Sequence, residues 1–195
     1  ISQQSDLSYV IPLTLKCVYS RVLYKYGSNE YILFIVMKKY EMKKKRLYVR
    51  NFVFGVEDSL VSTVGMLSGV AVAGLPRTSV FVSGLVLIFV EAFSMGVGSY
   101  LSEESTQSAK EKKDVIKAAL IMFVSYFIAG FIPLTPYIMF ELNIALPLSI
   151  LLSLFSLFIL GLTNARLMSK KLISSGIKML VLGGLAIAVG ITVGN

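Results

Sequence analysis

The chain has 195 residues, 55% of them hydrophobic, with a mean hydropathy of +0.76 and a net charge of +8. That is too apolar for a soluble domain of this size and indicates an integral membrane protein. With no histidine, no tryptophan and a single cysteine, Cys17, the inventory excludes a thiolate zinc site, a histidine-ligated haem, a serine–histidine triad and an intrachain disulfide framework.

Residues 1–41 stand apart from the rest. SQQSDLSYVIPLTLKCVYSRVLYKYGSNE shows no sustained helical or strand periodicity, and YILFIV (residues 31–36) is too short to span a bilayer. A positive n-region followed by a small-residue cleavage site is missing, so this is not a secretory signal peptide. The segment reads as upstream or appended and poorly structured, with natural translation starting at Met37 or Met42. The N-terminal mass of natively expressed protein tests that expectation. Residues 38–50 then carry Lys38, Lys39, Lys43, Lys44, Lys45, Arg46 and Arg50. Such a run can be a nucleic-acid arm, but here it abuts a hydrophobic span and reads as a cytoplasmic anchor touching anionic lipid.

Five membrane-length apolar spans follow, at residues 52–74, 79–101, 115–139, 144–165 and 172–194. Each is long enough to cross about 30 Å of hydrocarbon at about 1.5 Å per residue. Leu75-Pro76-Arg77-Thr78 forms the turn after the first span. Pro133 and Pro136 are expected to break or kink the end of the third, and Pro147 falls in the first turn of the fourth. Lys110, Lys112, Lys113 and Lys117 flank one connection, and Arg166, Lys170, Lys171 and Lys178 another; both lie on the side of the basic N-terminal run. The opposite side has only Arg77. The positive-inside rule then puts the N-terminus in the cytoplasm and the C-terminus outside. The fold class is an all-α integral membrane protein of five transmembrane helices.

The first span, NFVFGVEDSLVSTVGMLSGVAVAG, carries Glu57 and Asp58 within its first two turns. An ionised carboxylate in hydrocarbon costs at least a few kcal/mol, so it is rarely there for packing. Gly55, Asp58, Ser62, Gly65 and Gly69 recur at steps of three and four, forming a face of small residues that lets another helix approach above a polar seam. The second span adds Glu91 deep in its apolar run and Met95 one turn later. Asp58 and Met95 both lie roughly 9 Å from the inner ends of their spans, at about 1.5 Å per residue. The two can meet at one level, with Glu91 nearer the midplane and opposite Ser62. Carboxylates with a thioether suit a loosely held divalent transition metal such as iron(II) better than magnesium or calcium. They also suit proton-for-metal exchange, since burial disfavours the charged form of an acid that lacks its cation. Asn164 reads as a helix C-terminal cap, and Glu141 lies in an outer loop.

These segments resemble the vacuolar iron transporter family, which includes the nodulin-21-like proteins. The resemblance rests on NFVFGVEDSLVSTVGMLSGVAVAG, VEAFSMGVGSYLSEES, GFIPLTPY, LFILGLTNARL and SSGIKMLVLGGLAIAVG, in that order, from Arg50 to Asn195. It implies a homodimer whose path lies at the subunit interface, lined largely by the first spans. It also implies export of iron(II), in some members manganese(II), from the cytosol against protons. No resident cofactor, enzymatic activity or nucleic-acid partner is implied. Asp58 matches the aspartate of the D-G-L-type motif, here Asp58-Ser59-Leu60, and Met95 that of Ser94-Met95-Gly96. The second-span glutamate of plant and parasite members falls where this chain has Leu87, and Glu91 is the candidate to replace it. Iron-storing eukaryotic members insert a glutamate- and methionine-rich domain where this chain has SEESTQSAKEKKD. Here Glu103, Glu104, Glu111 and Asp114, interleaved with lysines, read as a solvated surface. The compact loop resembles prokaryotic members and makes a prokaryotic plasma membrane the expected location, rather than a vacuole. The competing reading is a non-transporting membrane protein whose intramembrane acids bridge helices or bind a partner.

Overall fold

The computed structural model describes residues 30–105, 112–167 and 171–195. These form α1 (Glu30–Val72), α2 (Arg77–Ser105), α3 (Lys112–Met139), α4 (Leu142–Leu167) and α5 (Leu172–Gly194), each long and apolar enough to cross a membrane. The fifth helix coincides with its expected span. The others outrun theirs, because hydropathy marks the part of a helix that sits in hydrocarbon and not where its hydrogen bonding stops. This matters most at the basic end of the bundle, where α2 continues to Ser105 and α3 already begins at Lys112.

α1 also runs through residues 30–41, where the sequence shows no apolar periodicity. The signal of the extension is polar and begins at its end: Tyr40, Lys44 and Tyr48 recur one turn apart and so share a face. All three reach Asp114 at the start of α3. Tyr40 donates to Oδ2 at 3.1 Å, Tyr48 donates to Oδ1 at 2.8 Å, and the Lys44 ammonium lies 2.8 Å from Oδ1. Arg50 pairs in the same way with Glu103 at the end of α2. Glu103 and Asp114 are therefore not on a solvated surface as the sequence suggested; they are only 3% and 4% exposed. The extended ends of α2 and α3 carry them against the basic face of α1.

At the other end, α1 stops where Gly74 takes φ +76°, the left-handed conformation that ends helices and that glycine adopts without strain. Arg77 lies inside α2 rather than in a turn. Its guanidinium donates to the carbonyls of Phe140 and Ile138 at 3.2 and 3.1 Å, capping the end of α3. Of the break or kink expected at Pro133 and Pro136, the break does not occur: α3 runs on to Met139 as one helix. Hydroxyls supply donors in this turn: Ser149 of α4 bonds the Pro133 carbonyl at 2.7 Å and Thr135 bonds the Phe131 carbonyl at 2.6 Å. The Glu141 carbonyl accepts the first amides of α4, which places Pro147 in the second turn and not the first. Likewise α4 continues past Asn164 to Leu167.

α1 is the central helix. Of its most apolar stretch 56% is buried, against 22% for α5. Its far half packs Leu67 and Ala71 with Val80, Ile88, Leu134 and Tyr137; its near half packs Val53 and Leu60 with Ala129, Leu157 and Met179. Lipid is as apolar as leucine, so helix association here rests on close packing more than on removing surface from water. Glycine provides that packing. A Cβ on Gly65 would stand 3.0 Å from the Ala186 carbonyl, and Gly69 faces Gly190 more closely still, so α1 and α5 touch backbone to backbone. Gly55 makes a comparable approach to Met122 and Ser125 of α3. The small-residue face read from the sequence is thus shared between two partner helices. The outward faces carry Phe89, Phe93, Leu151, Phe155, Leu185 and Val189, an apolar exterior suited to acyl chains.

Candidate functional site

Three helices meet at Tyr126, which α3 buries completely against α1. Its phenol donates to the Glu91 carboxylate of α2 and lies 2.6 Å from the Ser62 hydroxyl of α1. With the single phenolic hydrogen committed to Glu91, Ser62 is the donor in the second bond. The Ser59 hydroxyl fixes the same residue from behind by donating to its carbonyl at 2.6 Å. The sequence placed Glu91 opposite Ser62, and the structure joins them through Tyr126, a residue that sequence reasoning missed. The available signal was a tyrosine in the apolar run FVSYFIAGF, where a phenol needs a partner.

Asp58 is half-buried and opens a groove of about 630 Å³ between α1 and α5. The groove floor follows Ser62, Gly65 and Gly69 of α1, and Ala186, Gly190 and Gly194 of α5 form its other bank. The absence of side chains at these glycines is what leaves it open. Asp58 and Glu91 are near enough for their charges to interact, and Glu57 adds its charge to Asp58 from the preceding position. Glu57 is half-buried and lines neither this groove nor the hollow described next.

Met95 does not share the groove with Asp58. It faces a separate hollow of about 470 Å³ at the basic end, together with Asn51, Ser99, Glu103 and Met122. Ser99 donates to the Asn51 side-chain oxygen at 2.6 Å, and the Asn51 amide nitrogen donates back to the Leu47 carbonyl at 3.0 Å. Within one chain, then, Asp58 and Glu91 are brought together and Met95 lies apart from them. Among the described residues no three acidic, cysteine or histidine side chains gather where they could hold a metal ion. The ion pairs there are Lys44–Asp114 and Arg50–Glu103, both at the basic end, and neither involves Glu57, Asp58 or Glu91.

Five membrane-length helices enclosing acids that no fixed cation neutralises are the build of a membrane transport protein. The family profile of the VIT family matches residues 49–114 and 103–195, about three quarters of the chain, and the two stretches overlap at the connection between α2 and α3. The chain belongs to the VIT, or vacuolar iron transporter, family. A comparison with curated proteins finds no match. Membership assigns the chain to metal-ion transport across membranes, in a family of transporters rather than enzymes.

Proposed function

We propose that this protein exports a divalent transition metal, iron(II) or manganese(II), from the cytosol in exchange for protons. The observation that carries the proposal is Asp58, a carboxylate inside a membrane span that opens onto a groove and has no ion-pair partner among the described residues. A buried carboxylate without a fixed counter-ion is stabilised by a mobile one, either a metal ion or a proton. Those two ligands exclude each other at one carboxyl group, which is the chemical basis of exchange. Glu57 and Glu91 supply further negative charge close by, and Met95 offers a thioether that favours iron(II) over calcium.

The family resemblance and the basic residues gathered at one end support a cytoplasmic N-terminus and an external C-terminus. The open side of the Asp58 groove is consistent with a homodimer in which α1 of each subunit lines a shared path. The short connection between Ser105 and Lys112 supports a compact prokaryotic form working in a plasma membrane. For Glu91 the helix-bridging alternative has a specific observation in its favour, namely its hydrogen bond from Tyr126.

Liposomes holding a metal-quenched dye test the proposal, with iron(II), manganese(II), zinc(II) and calcium(II) offered outside. Exchange requires iron or manganese entry that an acidic lumen accelerates. Entry indifferent to the pH gradient removes the proton, and no entry of any ion from folded protein removes the transporter.

A further inference from the structure

The hollow at the basic end is built differently from the Asp58 groove and has a donor set of its own. Glu103, Asn51, Ser99 and Ser102 bring oxygen to its wall, and Met95 and Met122 bring sulfur. Its volume of about 470 Å³ exceeds the space needed by a divalent ion with six waters, each about 30 Å³. The carboxyl of Glu103 is nearly fully buried, with its side chain 4% exposed, yet its partner Arg50 is 65% exposed. A buried carboxylate requires a compensating charge, and removing that charge outright is severely unfavourable. Arg50 contributes to that compensation with a side chain that reaches in from water and can return there without being desolvated itself.

We propose that Glu103 is a loading site for a divalent transition metal entering from the basic end, with Arg50 as its displaceable counter-cation. When the hollow is empty of metal, the guanidinium neutralises Glu103. An arriving ion takes over the carboxylate, draws on the oxygens of Asn51, Ser99 and Ser102 and the sulfurs of Met95 and Met122, and Arg50 swings out. The mixture of oxygen with thioether favours iron(II) over magnesium, while manganese(II) is held through the oxygens. Glu103 is compensated in both states, so exchange needs no bare charge in the hollow. Met95 then belongs to the loading site, and the metal passes from there toward Asp58 and Glu91. The direction of travel rests on the transporter reading; the binding site does not.

The test uses the full chain carrying Asp58→Asn, which removes the groove carboxylate, and reads manganese(II) binding by the loss of the free-ion paramagnetic resonance signal. Arg50→Gln removes the competing cation and tightens binding several-fold, whereas Glu103→Gln weakens it about tenfold or more. Thermal stability gives a second readout that does not depend on a clean isotherm. Arg50→Gln is destabilised without metal and regains stability with manganese(II), and the double variant Arg50→Gln/Glu103→Gln loses that response. Arg50→Lys, a milder change, follows Arg50→Gln with smaller amplitude and serves if the first variant does not fold. Arg50 variants that bind manganese(II) no better than the parent, or that gain no metal-dependent stability, overturn the proposal and leave a purely structural ion pair. Metal flux in Asp58→Asn separates the two claims: surviving flux refutes the transporter reading at Asp58 whatever Glu103 binds.

Discussion

Tyr126→Phe removes one oxygen atom from the centre of the three-helix junction and leaves the ring that packs there. Two hydrogen bonds are lost, one to the Glu91 carboxylate and one with Ser62. Side-chain hydrogen bonds between membrane helices average about 0.6 kcal/mol and reach about 1.7. The carboxylate bond belongs near the upper end, because it is charge-assisted and leaves an acid with one donor fewer. The total is about 1–3 kcal/mol, with no cavity contribution since the ring stays. For a chain of this length that corresponds to a fall in melting temperature of roughly 2–12 °C. Circular dichroism of the detergent-solubilised protein measures it. Ser62→Ala gives a smaller fall, and the double variant is less than additive because both changes break one network. A Tyr126→Phe protein that melts with wild type, and whose effects add to those of Ser62→Ala, refutes the junction.

Gly69→Ala places a methyl 2.5 Å from the Gly190 carbonyl oxygen, a backbone atom that cannot rotate away, and loses about 1–3 kcal/mol by overpacking. Gly98→Ala, with nothing within 4 Å of the new atom, leaves the melting temperature unchanged. Asp114→Ala deprives Tyr40, Tyr48 and Lys44 of their shared acceptor, so the extension of α1 loosens and trypsin cuts among residues 43–46 on the order of tenfold faster, while the spans stay protected. Met95→Leu keeps the volume of the side chain and removes the sulfur; it lowers iron(II) flux more than manganese(II) flux, measured in parallel in the same liposomes.

Much of the fold was legible because the membrane simplifies the pattern. A span must be apolar for its whole crossing, so five runs and the basic residues between them gave element number and order. What hydropathy could not show was where helices continue in water. Residues 38–51 of α1 and the ends of α2 and α3 are polar, and their pairing depends on Tyr40, Lys44, Tyr48 and Arg50 meeting Asp114 and Glu103 from distant parts of the chain. α3 runs past Pro133 and Pro136 to Met139 without a break, and its end is held by Ser149 and Arg77 from elsewhere in the chain, which local reasoning does not see. In the site, Asp58 and Glu91 were legible because charge in a span is conspicuous. Depth counting put Met95 level with Asp58, but depth does not fix rotation about the helix axis, and Met95 faces another hollow. Tyr126 went unread because its helix carries no charge beside it.

The most direct test of the account compares iron(II) entry into acidic-lumen liposomes carrying wild-type protein or Asp58→Ala, at equal amounts of folded, inserted protein. The account predicts rapid, gradient-accelerated entry for wild type and entry at the rate of protein-free liposomes for Asp58→Ala. Equal rates for the two proteins contradict it and leave the intramembrane acids as helix bridges.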